Sequence, residues 1–388
     1  MNKRFAALAR RDWEELVTMW ESDVRVAEER EQRRGSRPQV NDRQEEDTEK
    51  LKLEVISLVA SSQVSKAMSR ISSHGVASMQ DERIKAQMTA KYSVRETAFP
   101  VRVIKGRTIE HMRGLKDSLK NMSKRRGKAP GTGGLRSEFL QVLGELLSDD
   151  HTRLLEDFGL RYLHGELQAW FYIVWLTVQT VPLFKTKNRD TVRPIGVRNN
   201  LPKMFHQEPI QQNKSELREA LEPQQLAMSP AGAAKLVHTV RMMMEENPDM
   251  AAVKIDVKNA FNEVLREAII TALSDDPSLQ HMAWSAACEL APEHGLETGG
   301  KLWAVSGVGA TQGDPASSPF FCIAWHKWVK ILDAILAQAG GLCRFGMDDG
   351  YCVGPPEVLF PALTRFSDSI REHCGLELEM TKCEVLCW

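Results

Sequence analysis

Three acidic residues stand where predicted strands could bring them into one site. Asp348 and Asp349 lie between two short apolar runs in RFGMDDGYCVG, and Asp256 follows the run AAVKI. Clustered carboxylates repel one another unless cations lie between them, and their oxygens suit Mg²⁺. Two such ions can promote an in-line phosphoryl displacement. Each residue also has a simpler interpretation, since Asp-Gly is a hairpin-turn signal and a lone Asp after a strand is often a cap or turn residue.

The surrounding sequence predicts the elements that would carry these residues. AAVKIDV alternates apolar and polar positions, which predicts a half-buried strand, and from Phe261 the apolar spacing becomes helical. TVQTVPLFKTKNRDTVRPIGV predicts a hairpin, whose Pro182 and Pro194 favour a sheet edge or strand ends. SGVGATQGDPASSPFF predicts a glycine-rich loop that leads into a helix. Its glycines would let a ligand approach the backbone closely, or they simply form a loop before a capped helix.

Composition bounds the class of protein. The 388 residues suffice for two or three packed units, and the apolar and charged fractions, 42% and 27%, are ordinary for a globular chain. The net charge of −1 argues against a uniformly basic nucleic-acid binder, but residues 91–140 hold 13 Lys/Arg against 4 Asp/Glu. That basic strip is either a solvated or targeting-like surface or a contact for a phosphate backbone.

Other function classes receive no support from the sequence. The seven cysteines show neither a CxxC pair nor a Cys/His ligand spacing, so neither a zinc site nor a disulfide framework is suggested. The longest apolar run, FYIVWLTVQTVPLF, is too short for a bilayer, and the N-terminus lacks the apolar core of a signal peptide. We therefore expect an intracellular protein without a membrane partner; the choice between nucleus and cytoplasm stays open.

Six segments, taken in order, carry a family resemblance. The chain resembles the reverse transcriptase, an RNA-directed DNA polymerase, of a non-LTR (LINE-type) retrotransposon over roughly residues 50–388. The matching segments are VPLFKTKNRDTVRPIGVRNNLPKM, QQLAMSPAGAAKLVHTVR, IDVKNAFNEVLRE, GATQGDPASSPFF, FGMDDGYCVG and GLELEMTKCEV. One departure is Gly346, which stands where most relatives have an aromatic residue, and a glycine there is expected to loosen the strand.

The resemblance implies an α+β fold of the right-hand polymerase type, with fingers and a palm built on an antiparallel sheet. It divides the chain into a charged arm (1–50), a helical linker with the basic strip (51–128), a fingers-like region (129–250) and the palm (251–388). From the resemblance we expect the family's thumb to follow Trp388 and no endonuclease to precede the polymerase. We therefore expect a fingers and palm fragment of a truncated or decayed element.

The resemblance also implies the catalytic residues. Asp256 and Asp348 would ligate two Mg²⁺ ions, or Mn²⁺ in their place, and Asp349 would support them. Phe261 would lie under the sugar and exclude a ribose 2′-hydroxyl, although an ordinary core phenylalanine is the alternative. Lys382 would protonate the leaving pyrophosphate, or it is a surface lysine.

Substrate contacts follow from the same resemblance. Lys185 and Arg193 would bind the triphosphate, with Lys187 as a competitor for the role of Lys185. Gln312 and Gly313 would line the pocket for nucleotide and template. The implied partners are an RNA template, a DNA primer and dNTPs. Two alternatives stay open: an RNA-dependent RNA polymerase, and a catalytically silent RNA-binding remnant.

Overall fold

The computed structural model describes residues 74–92, 109–112, 114–122, 129–185 and 188–386, together with three single positions at 18, 25 and 53. The chain divides into two units, Met1–Ser73 and His74–Trp388, and every element below belongs to the second unit. Apart from positions 18 and 25, the predicted arm at 1–50 lies outside the described residues, as do most of the linker at 51–128 and Lys187.

The described part of the second unit is a mixture of helices and strands. The strands are β1 (Val178–Phe184), β2 (Val192–Val197), β3 (Ala251–Ile255), β4 (His294–Thr298), β5 (Lys301–Ser306), β6 (Leu342–Gly346), β7 (Asp349–Gly354) and β8 (Glu384–Leu386). The helices are α1 (Glu82–Thr89), α2 (Leu115–Lys120), α3 (Ser137–Leu146), α4 (Asp149–Leu163), α5 (Ala169–Trp175), α6 (Asn200–Gln212), α7 (Lys214–Leu221), α8 (Gly232–Glu246), α9 (Ala260–Glu263), α10 (Arg266–Asp275), α11 (Ala283–Leu290), α12 (Ser317–Ala337) and α13 (Pro356–Cys374). The α+β class predicted from the sequence is confirmed.

One sheet, called here the carboxylate sheet, has the strand order β6-β7-β3-β8, and all of its neighbours are antiparallel. Its alternating side chains enter two cores. Val253 and Ile255 pack into the main core, whereas Ala252 joins a smaller cluster with Val240 and Met244 of α8. Helices therefore cover both faces, which explains why β3 is almost entirely apolar. The predicted antiparallel sheet packed by helices is confirmed.

Helix α12 is the centre of the main core. It is rich in apolar residues on most of its circumference, and a helix of that kind is expected to be buried. Trp325 is completely buried and contacts Phe345 of β6 edge-on, with ring centroids 5.0 Å apart. The loop that precedes α12 and the hairpin of β6 and β7 therefore rest on one rigid helix.

A second sheet, called here the hairpin sheet, has the order β2-β1-β4-β5. β1 and β2 form the predicted antiparallel hairpin, and Pro182 lies opposite Pro194. β2 is an edge strand, but β1 is internal because β4 pairs with it in parallel from Val178. Pro182 is tolerated there because the pairing with β4 ends at Gln179. Beyond that point the Pro182 carbonyl accepts a hydrogen bond from the Ala77 N–H.

The helices α2 to α6 surround a third core, which combines aliphatic side chains with a cluster of aromatic rings. Tyr162, Tyr172 and Phe205 are buried in it, and Trp175 packs against them. Within the described residues, none of the helices is long and apolar enough to cross a membrane.

Candidate active site

The two sequence-distant acidic segments meet at one end of the carboxylate sheet. Asp256 directly follows β3, Asp348 lies in the tight turn between β6 and β7, and Asp349 begins β7. The register places Ile255 opposite Gly350, so the chain at Asp256 leaves the sheet beside the turn. The fold therefore brings together the acidic residues that the sequence singled out.

Burial and the neighbouring carboxylates both act on the pKa of Asp348. Burial raises the pKa of Asp348, and the negative charges of Asp349 and Asp256 raise it further, while Arg193 has the opposite effect. Lys382 Nζ lies 2.9 Å from Asp256 Oδ1 and forms an ion pair with it. Excess negative charge at this end of the sheet is thus offset by lysine and arginine side chains.

Cations from three other segments lie near one another at this end of the sheet, with Asp256 among their neighbours. Burial lowers the pKa of Lys185, and the positive charges of Lys91, Arg193 and Lys382 lower it further. Arg193 lies on β2 and Lys185 directly follows β1, so the hairpin presents both. Lys91 was not predicted from the sequence, because only the fold brings its segment here.

The three acidic residues do not close into a tight metal cage. Among the described residues, one group of three ligand side chains has its atoms within 4.8 Å of one another, and it consists of His206, Glu289 and Asp314. Arg198 Nη1 lies 3.2 Å from Glu289 Oε1, and Arg198 Nε lies 3.4 Å from Asp314 Oδ2. Because the guanidinium already supplies positive charge, we interpret these four residues as a buried ion-pair network.

The glycine-rich loop packs against the hairpin sheet with its backbone. Gly313 has φ of +107°, and a Cβ there would meet the Gly196 carbonyl oxygen of β2 at 2.5 Å. Only glycine fits such a position without strain. Arg198, which directly follows β2, donates from Nη2 to Thr311 Oγ1 at 2.9 Å and so also fixes the loop. The predicted nucleotide-pocket residues Gln312 and Gly313 therefore lie beside the strand that carries Arg193.

Phe261 lies in the short helix α9 after the turn that follows Asp256. Its ring is half-buried and stacks on Phe321 of α12, with centroids 4.9 Å apart and planes at 27°. Its carbonyl accepts a hydrogen bond from Ala310 in the glycine-rich loop at 2.7 Å. Phe261 thus contacts the core through its ring, and its backbone contacts the loop that carries Gln312.

Gln225 fixes the turn that carries Asp348, and sequence reasoning missed it. The completely buried Gln225 donates from Nε2 to the Met347 carbonyl at 3.0 Å and accepts from the Met347 N–H at 2.8 Å. Met347 has φ of +68°, which is unfavourable for a side-chain residue, so the amide holds an unusual conformation. Gly346 pairs with Asp349 in regular register, so this departure from the family pattern leaves the hairpin intact.

Replacing Gln225 with Leu is expected to lower the free energy of unfolding by roughly 1–3 kcal/mol, because two polar backbone groups lose their partner. Urea-induced unfolding would measure the change. Gln141→Leu is the control, since that exposed amide contacts only the next turn of its own helix. Equal stability of the two variants would show that the amide does not hold the Met347 turn.

No protein-family model and no curated protein matches the chain. Among solved structures, it is similar to apo telomerase from Candida tropicalis truncated from its C-terminal domain, with TM-score 0.42 and 14% identity over 55% of this chain and 50% of that chain. It is also similar to telomerase from Candida albicans in complex with a TWJ fragment of telomeric RNA, with TM-score 0.43 and 13% identity over 57% of this chain and 43% of that chain. The chain therefore matches half or less of each telomerase chain.

Proposed function

We propose that this chain is part of an RNA-directed DNA polymerase that transfers nucleotides from dNTPs to the 3′-hydroxyl of a DNA primer on an RNA template. One observation carries the proposal: Asp256 and Asp348, distant in the chain, lie at one end of one antiparallel sheet, where burial and then the charges of Asp349 and Asp256 raise the pKa of Asp348. The six motif-like segments in their family order support an origin in a non-LTR (LINE-type) retrotransposon.

Asp256 and Asp348 would hold two Mg²⁺ ions, with Asp349 in support and Mn²⁺ as an alternative. The residues suit such ions because carboxylate oxygens are hard ligands. Burial raises the pKa of Asp348, and the negative charges of Asp349 and Asp256, which a cation would offset, raise it further. Lys382 now binds Asp256 and would have to release it. When bound, the ions would lower the pKa of the primer hydroxyl and neutralise the triphosphate.

The cationic side chains would bind the substrate. Arg193 would grip the triphosphate as a planar fork and Lys185 as a point charge. Lys382, once its carboxylate partner is released, would give a proton to the leaving pyrophosphate. Gln312 and Gly313 would line the nucleotide pocket, since their loop lies against the strand that carries Arg193.

Replacing Phe261 with Val is expected to raise the incorporation of ribonucleotides relative to dNTPs by about 10- to 100-fold, because a smaller side chain leaves room for the 2′-hydroxyl. Single-nucleotide incorporation with each substrate measures the ratio. Phe360→Val, at an exposed position on α13, is the control. An unchanged ratio would leave Phe261 with only its core contact to Phe321.

Primer extension tests the proposed function. A labelled DNA primer annealed to RNA should be extended with dNTPs in Mg²⁺ and should not be extended in excess EDTA. Efficient extension by the unaltered chain with ribonucleotides would instead support an RNA-dependent RNA polymerase. Salt-sensitive RNA binding without any extension would support the RNA-binding remnant.

A further inference from the structure

Lys91 is held near the loop that follows Asp256 by a hydrogen bond from Asn259. It follows helix α1, and its carbonyl accepts a hydrogen bond from Asn259 Nδ2 at 3.0 Å. Asn259 lies three residues after Asp256 and has φ of +48°, a left-handed conformation that asparagine tolerates well. The contact therefore ties the segment before α2 to the loop that carries a predicted metal ligand.

Helix α1 docks on the same hairpin that carries Lys185 and Arg193. Gln87 Nε2 donates to the Asp190 carbonyl at 2.8 Å, and Gln87 Oε1 accepts from the Val192 N–H at 3.1 Å. Directly after Lys91, the Tyr92 ring meets Trp303 of β5 edge-on, with centroids 5.9 Å apart. The backbone at Lys91 is thus fixed by the hairpin sheet as well as by Asn259.

More cations than carboxylates act on Lys185. Its charged neighbours include the cations Lys91, Arg193 and Lys382 and the carboxylate Asp256, and after burial the effect of Lys91 on its pKa is the largest. Lys382 is paired with Asp256, whereas Lys91, Lys185 and Arg193 have no carboxylate partner within ion-pair distance among the residues that the structure describes. Cations that the fold holds near one another form a favourable site for a polyanion. A triphosphate suits this site, since it would bridge the hairpin and the carboxylate turn.

We propose that Lys91 is a further triphosphate-binding residue and that the Asn259 amide positions it there. The inference rests on the proposed function, because it assigns the polyanion as the triphosphate of the incoming nucleotide. The other source of such chemistry is the phosphate backbone of a nucleic acid. The two sources are distinguished by their probes, inorganic tripolyphosphate and a short single-stranded RNA.

Replacing Lys91 with Gln is expected to weaken tripolyphosphate binding by roughly three- to tenfold, because one unit charge is lost at close range. Isothermal titration with the full chain measures the affinity without requiring catalysis. Lys91→Arg retains the charge and should retain the affinity. Lys85→Gln is the matched control, since Lys85 lies on the same helix but pairs with Glu82, and it should change the affinity less than about twofold.

The outcomes separate this inference from the proposed function. Weaker tripolyphosphate binding by the Lys91→Gln variant alone supports the inference, even if no variant extends a primer. Equal affinity of the Lys91→Gln and Lys85→Gln variants would overturn it, as would a loss confined to the RNA probe. Thermal unfolding of each variant shows whether the fold is retained. The Asn259→Gly variant keeps the left-handed backbone but removes the amide, so it should also weaken tripolyphosphate binding.

Discussion

Replacing Asp348 with Asn is expected to lower Mg²⁺-dependent primer extension by on the order of 10³-fold or more, because charge-stabilising groups in phosphoryl transfer have effects of that size. The substitution keeps the shape of the side chain and removes its negative charge. The turn itself should persist, since Gln225 holds it through the backbone of Met347. Steady-state extension rates on one primer and RNA template would measure the loss.

Two comparisons make the result specific to the site. Asp349→Asn should have a smaller effect, because Asp349 is assigned only a supporting role. Asp368→Asn, which removes an exposed carboxylate on α13, should leave the rate unchanged. Activity of the Asp348→Asn variant close to that of the Asp368→Asn variant would show that the site at the carboxylate sheet is not the catalytic centre.

Replacing Arg198 with Met is expected to lower the free energy of unfolding by about 3–5 kcal/mol, because loss of one partner leaves buried charges uncompensated. Arg198 is completely buried and contacts Glu289 and Asp314. These residues join the end of β2, helix α11 and the glycine-rich loop, so the loss should reach all three segments. Urea-induced unfolding, followed by circular dichroism, gives the value.

Arg371→Met is the control for the ion-pair network. Arg371 forms an exposed ion pair with Asp368 one turn away, and such pairs contribute little to stability. Its replacement should change the free energy of unfolding by less than about 0.5 kcal/mol. Equal losses for the Arg198 and Arg371 variants would show that the buried network does not stabilise the fold.

The same network predicts a pH dependence. Burial lowers the pKa of His206, but the carboxylates of Glu289 and Asp314 outweigh burial, so the pKa in the folded protein is raised. The protonated His206 therefore stabilises the fold at low pH, and this stabilisation is lost as the pH rises from about 6.5 through the folded pKa. Burial raises the pKa of Asp314, but Arg198 and His206 outweigh it and lower it to about 2. Its stabilisation is lost as the pH falls from about 4 towards that value. His206→Gln should remove the alkaline decline.

The elements of the carboxylate sheet could be predicted because their signals are local. The alternation before Asp256 predicts strand β3 from a few residues. The Asp-Gly pair at 349–350 predicts a hairpin turn, but the structure places the turn two residues earlier, at Met347 and Asp348, and both Asp349 and Gly350 lie in β7. The predicted helix from Phe261 is in fact two helices. The Leu265 N–H leaves the helical pattern for the Cys374 carbonyl at the end of α13, a distant contact that apolar spacing does not reveal.

Contacts between distant segments account for what sequence reasoning missed. In the sequence nothing distinguishes Gln225 from the adjacent Gln224, and only its hydrogen bonds to Met347 show that it holds the turn. Lys91 belongs to a basic stretch whose sequence does not distinguish one cation from another. The hydrogen bond from Asn259 to its carbonyl shows which of them lies near the loop after Asp256. Likewise, β4 and β5 lie in the range predicted as palm, and their pairing places them in the hairpin sheet.

Manganese binding, measured by electron paramagnetic resonance, tests most directly whether Asp256 and Asp348 share a divalent cation. Titration of the full chain with Mn²⁺ should show bound ion, and the double variant Asp256→Asn/Asp348→Asn should lose it while keeping its thermal unfolding profile. Competition with Mg²⁺ should release the bound Mn²⁺ from the unaltered chain. An identical titration of the double variant and the unaltered chain would contradict the account, because the two carboxylates would then not be metal ligands.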